Sequence, residues 1–166
     1  MSINFNIVDK LSDDYSSFYQ TAKETSDFSL IEYDKILESS LTLAKEFRLR
    51  LDYSRRSITF LNMILTSYSA YANNPARMET VAFVFGIYLG ETMLQHGLEE
   101  AGYKWAYKEN EPMPGLTKND EDFFFPIERI HRKICDRKND ISLYYVTALL
   151  ACDEDNIIDY NKIRDI

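Results

Sequence analysis

Apolar positions recur at helical spacing along most of the chain. Leu11, Tyr15, Phe18 and Ala22 follow one another at intervals of four, three and four, which predicts a helix from Ile7 to about Thr25. A second helix opens at Ser29, whose hydroxyl can accept a backbone N–H while Glu32 reaches back, the pattern of a capping box. It carries the strongest periodic stripe in the sequence: Leu30, Tyr33, Leu37, Leu41, Ala44, Phe47 and Leu51. A third helix is predicted from Ser54 to Ala72, with Ile58, Leu61, Leu65, Tyr68 and Ala72 on one face, stopped by Asn73-Asn74-Pro75.

The fourth predicted helix has Asn74 as its cap and Pro75 at its first position. From Val81 to Leu89 it is apolar nearly all round, as expected of a central helix covered on several sides. Gly86 and Gly90 lie one turn apart on it. Glycine inside a helix costs up to about 1 kcal/mol relative to alanine, so both imply close approach of another backbone or a bulky ring. The helix is expected to end near Gly97 or Gly102.

Between Gly102 and Pro126 the period changes. Lys104-Trp105-Ala106-Tyr107 alternates polar and aromatic residues; Pro112, Pro114 and Gly115 read as a turn, and Asp122-Phe123-Phe124-Phe125 as a second short strand, which makes a two- or three-stranded hairpin, with a loop as the alternative. Pro126 then opens a fifth helix with Ile127, Ile130 and Ile134 on one face. Asp140 caps a sixth, whose predicted stripe is Leu143, Tyr144, Thr147 and Leu150. The expectation is a mainly α fold: one domain over residues 1–166, five to six helices around the Pro75–Gly97 helix, one short β-hairpin near residues 103–125, and an acidic tail at 153–166 that frays.

Composition narrows the function. The chain has 166 residues, enough to bury a core without metal or disulfide support. Its 27 acidic and 19 basic residues give a net charge of −8. A duplex binder needs a basic face to release counterions, and the cluster Arg48, Arg50, Arg55 and Arg56 is too small to offset that charge, so nucleic acid is not expected as a partner. The longest apolar run is well short of the ~20 residues that span a bilayer, and no export signal opens the sequence, so no membrane association and a cytoplasmic location are expected. Cys135 and Cys152 each follow apolar residues and read as buried thiols in a reducing compartment. The 12 Tyr, 10 Phe and single Trp first of all build a core, with some left over for a contact surface.

Catalytic patterns fail one by one. Glu128 and His131 have the three-residue spacing of a di-iron bundle ligand pair, but the other histidine, His96, has Met93 at that offset, so the second pair is missing. A zinc site built on His131 and Cys135 lacks ligands beyond Cys152. There is no nucleophile elbow, and Gly86-x-x-x-Gly90 lacks the Lys-Ser/Thr of a phosphate loop. No catalytic residue, metal or cofactor is assigned. His96 reads as a solvated or capping side chain near the end of the fourth helix. Glu91 stands out because it interrupts the apolar helix just after Gly90. It reads either as a carboxylate on the polar flank bonded by an Arg or Trp N–H, or as part of a cleft with Trp105 and Tyr107.

The run Phe85-Gly86-Ile87-Tyr88-Leu89-Gly90-Glu91, then Trp105, then Phe125-Pro126-Ile127-Glu128-Arg129-Ile130, resembles small uncharacterised bacterial helical domains with a Gly-x-Tyr-Leu-Gly-Glu … Trp pattern, over about residues 80 to 150. Some domains of that kind resemble immunity proteins, which block a partner toxin. The resemblance implies a protein-binding role with a basic toxin as partner and supplies no catalytic residues. Two alternatives stay open: a small-ligand or enzymatic domain with its cleft near Glu91 and Trp105, and a homo-oligomeric structural protein.

Overall fold

The structure, a computed structural model, describes residues 5–13, 33–71 and 73–152. Among these are six helices and a small antiparallel sheet, a mainly α fold. Residues 6–13 form α1. Then come α2 (Tyr33–Glu46), α3 (Arg55–Tyr68), a 3-10 turn (Ser69–Tyr71), α4 (Pro75–Met93) and a π-helical turn (Leu94–Leu98). The strands β1 (Lys104–Ala106), β2 (Gly115–Thr117) and β3 (Phe123–Phe124) lead into α5 (Pro126–Cys135) and α6 (Ile141–Cys152). The expected stripe residues Tyr15, Phe18, Ala22 and Leu30, the Ser29–Glu32 box and the tail 153–166 lie outside the described residues.

Central α4 starts as its sequence dictates: Asn74 Oδ1 accepts the Arg77 amide at 3.2 Å, with Pro75 in the first turn. Every residue from Thr80 to Gly90 is buried. α2 and α5 pack along α4, and α3 packs on α5 and α6. α1 is tied to the start of α4, where Arg77 Nε and Nη2 donate to the Asp9 carboxylate at 2.6 and 2.7 Å. Gly86 lets α5 approach: a Cβ there would collide with the Ile127 backbone. At its far end α4 runs into the π turn, and Gly97 (φ 128°) and Gly102 (φ 90°) take left-handed conformations that break it.

The sheet differs from the expected hairpin in one respect. Its middle strand is Gly115-Leu116-Thr117, which pairs with β1 (Trp105 opposite Leu116) and with β3 (Leu116 opposite Phe124). Gly115 therefore begins a strand instead of closing a turn. A side chain there would strike the Phe124 carbonyl and the Phe123 and Phe125 rings, so the glycine reflects close strand approach.

Three further expectations are corrected. In α6 the inward residues are Ile141, Tyr145, Ala148, Leu149 and Cys152, while Leu143 and Leu150 are 64% and 60% exposed. The helix is apolar all round, so periodicity could not pick its face. Cys135 is exposed; only Cys152 is buried, and the two form no disulfide. α2 ends at Glu46, before Phe47 and Leu51, because the chain turns at Arg48 (φ 57°); Leu51 enters the core from the connecting segment.

Candidate functional site

Glu91 and Trp105 meet at the end of α4. Gly90 has no side chain, and the benzo edge of Trp105 occupies the space a Cβ would need. The indole N–H then reaches the next residue along the helix and donates to Glu91 Oε1 at 2.8 Å. Two consecutive residues of α4 thus hold one ring, the first by making room and the second by accepting its N–H hydrogen bond. Short β1 can position a large side chain in this way because Trp105 sits at its centre, opposite buried Leu116.

Glu91 is half-buried, and burial raises its carboxyl above the ordinary carboxylate range. The Trp105 hydrogen bond opposes that shift, whereas the negative charges of Glu99 and Asp34 reinforce it. Asp34 comes from the first turn of α2 and Glu99 from just beyond the π turn, and both are exposed. Three carboxylates, Asp34 among them from far away in the sequence, thus share one field, and no cation among the described residues offsets it at Glu91.

Tyr53 completes this face. It takes a left-handed backbone (φ 60°), a conformation that is an outlier for a bulky side chain. Its N–H donates to Tyr88 Oη at 2.8 Å and its ring stacks on Tyr88 at 4.9 Å. Tyr88 is fully buried and also meets Ser57 Oγ at 2.7 Å. The Tyr53 hydroxyl is raised by burial and then by the charges of Glu91 and Asp34, so it remains a neutral donor beside them. Behind it lies His96, hydrogen-bonded through Nδ1 to the Tyr145 hydroxyl and also engaged with the Tyr53 backbone. Half-buried, it is neither solvated nor a cap. Burial lowers its basicity, with the Tyr53 contact opposing.

Tyr107 lies just past β1, half-buried against the core, with its hydroxyl donating to the Glu111 carbonyl. Its hydroxyl is thus engaged within its own loop. Asp34, Tyr53 and Glu99 were not legible as site residues. They sit in a helix start, an interhelical break and the end of a turn: the packing of α2 along α4 brings Asp34 to Glu91, the contacts with Tyr88 bring Tyr53, and the π turn that continues α4 brings Glu99.

Other chemistry is sparse. Cys135 Sγ and His131 Nδ1 lie 3.8 Å apart at the end of α5, where Cys135 is exposed, and among the described residues no group of three or more His, Cys, Asp or Glu is placed to hold a metal ion. No described helix is long and apolar enough to cross a membrane. Two cavities, one beside Phe5 and Val81 and one beside Phe124 and Arg129, are lined by neither Glu91 nor Trp105. The chain matches no protein-family model, and neither a curated protein nor a solved structure shows significant similarity to it.

Proposed function

We propose that the protein is a binding domain that presents the Asp34–Tyr53–Glu91–Glu99–Trp105 face to a basic protein, and that it acts as a bacterial immunity protein neutralising a toxin. The observation that carries this reading is the Glu91 carboxylate itself. It is half-buried, held in place by the Trp105 N–H, and surrounded by like charge. Such a group lowers the stability of the lone domain, and with no counter-charge among the described residues it would gain from a cation that arrives with a partner. A Lys or Arg from the partner would find a pre-oriented carboxylate between two aromatic side chains, an arrangement suited to an interface anchor. The net charge of −8 would steer such a partner from a distance. Blocking a toxin requires occupancy of its basic surface and no chemistry on it, in keeping with the failure of every catalytic pattern in the sequence.

The test is affinity capture from the native cell with wild-type protein, Glu91→Gln, and the triple variant Asp34→Asn/Glu91→Gln/Glu99→Gln. A basic protein should bind wild type, and the single variant should lose about 2–5 kcal/mol of affinity, the usual cost of removing one member of a desolvated charge pair. The partner should be toxic when expressed alone and harmless with wild type. Recovery of no basic protein, or equal capture by the triple variant, would overturn the reading.

A further inference from the structure

The opposite edge of the sheet carries a site of reversed charge. A cavity of about 170 Å³ opens between β3, the first turns of α5 and the start of α6. Its apolar wall is the phenylalanine run 123–125 together with the ring of Tyr144. The Phe123 and Phe125 rings stack in parallel at 5.6 Å, and Lys108 Nζ lies 5.4 Å from the Phe123 ring centre. Arg129, Arg132 and Glu128 supply the polar wall. Arg132 is satisfied by Glu128, to which its Nε and Nη2 donate at 3.0 and 2.5 Å. Arg129 has no such carboxylate among the described residues. Its guanidinium lies 5.2 Å from the Tyr144 ring centre, and the hydrogen bond it makes among the described residues is a long 3.5 Å reach from Nη2 to the Asp140 carbonyl.

Two polar atoms at this cavity are sealed from solvent without a hydrogen-bond partner among the described residues: Arg129 Nε and Tyr144 Oη. The Phe125 amide stands near the Tyr144 hydroxyl as a donor, which leaves the hydroxyl proton without an acceptor, and burial holds that hydroxyl in its protonated form. Buried donors nearly always find an acceptor. Both atoms can donate, both belong to residues that line the cavity, and the wall around them is largely aromatic. The formal charge of the lining, two arginines against one glutamate, is +1.

We infer that this cavity binds a small aryl monocarboxylate. The carboxylate accepts from Arg129 and from the Tyr144 hydroxyl, while the ring packs against Phe123–Phe125. A monoanion neutralises the lining, whereas a phosphate dianion would leave excess negative charge next to Glu128. The acidic surface elsewhere does not forbid entry, because charges beyond about 8 Å are largely screened at physiological salt. The site lies apart from the acidic face and does not depend on it.

Amide-resolved NMR titration with phenylacetate, phenylacetamide and acetate tests the inference. Phenylacetate should give saturable shifts confined to residues 123–132 and the start of α6. Phenylacetamide, which lacks the charge, and acetate, which lacks the ring, should each bind at least about tenfold more weakly. Arg129→Gln should weaken phenylacetate about tenfold or more, and Tyr144→Phe several-fold. If Arg129→Gln fails to fold, Tyr144→Phe carries the test, since it removes one hydroxyl and keeps the ring. Absence of saturable shifts, equal binding of the amide, or unchanged affinity in the folded variants would overturn it.

Discussion

Glu91 shows how a single residue can be read from its cost. In the unfolded chain its carboxyl titrates near its ordinary value of 4.5; in the fold, burial and then the charges of Glu99 and Asp34 raise it against the Trp105 hydrogen bond. A raised acid favours the protonated native state. Its contribution to stability is therefore complete below pH 4.5 and is lost as pH rises through the folded-state pKa. Glu91→Gln keeps an oxygen for the Trp105 N–H and removes the charge. The variant should melt above wild type at neutral pH, and the gap should close as the pH falls toward 4.5. Thermal scans across that range check it. A variant that melts lower at neutral pH would mean the charge is stabilised by a cation outside the described residues. Greater stability together with lost partner capture is the trade-off a binding residue should show.

At the scale of elements, the glycines and the periodic stripes were informative to different degrees. Gly86 and Gly90 implied, from sequence alone, the approach of another backbone or of a bulky ring; the Ile127 backbone fills the first place and the Trp105 ring the second. Substitution to alanine separates the two. At Gly86 the new methyl meets the Ile127 backbone, which cannot move without shifting α5; at Gly90 it meets the rim of a side chain. Overpacking of this kind costs about 1–3 kcal/mol, partly offset by up to about 1 kcal/mol of helix propensity. Gly86→Ala should therefore be the more damaging in chemical denaturation, and Gly90→Ala should instead displace Trp105 and quench or shift its fluorescence. Equal losses would mean that α5 yields as readily as the indole. The helix starts at Ser54, Asn74, Pro126 and Asp140 were equally legible, because capping is local chemistry: Ser54 Oγ accepts the Ser57 amide, and Asp140 Oδ1 accepts those of Ser142 and Leu143. The inward face of α6 was not legible, since choosing between Leu143 and Tyr145 in an all-apolar helix needs the position of α3. Gly115 misled for a related reason: glycine marks turns and close strand approach alike.

At the scale of the whole molecule, the acidic face and the helical core meet at His96, which couples stability to pH in the sense opposite to Glu91. Burial lowers its pKa from 6.5 despite the contact with the Tyr53 backbone. A base with a depressed folded pKa binds more protons when unfolded. Its contribution is therefore fully present above pH 6.5 and is lost as pH falls through the folded-state value. Protonation would place a charge between Tyr145, at 1% exposure in the core, and Tyr53, whose strained backbone is pinned by His96 on one side and Tyr88 on the other. None of this was visible in the sequence, where His96 and Tyr53 stand 43 residues apart (96 − 53) and His96 read as a solvated or capping side chain. Comparing wild type with His96→Gln isolates the effect. The variant loses part of the Tyr145 and Tyr53 contacts and should be less stable at pH 7.5. Below pH 6.5 the difference should shrink, because only wild type has an imidazole that resists protonation. An imidazole NMR titration of His96 with its midpoint at or above 6.5, or a stability difference independent of pH, would show that the ring is open to water and that Tyr53 is held by Tyr88 alone. If the midpoint is depressed, acid should loosen Tyr53 before it unfolds the core, and the acidic face should lose its arrangement while Glu91 becomes neutral. Partner binding would then fall on acidification more steeply than Glu91 protonation alone predicts.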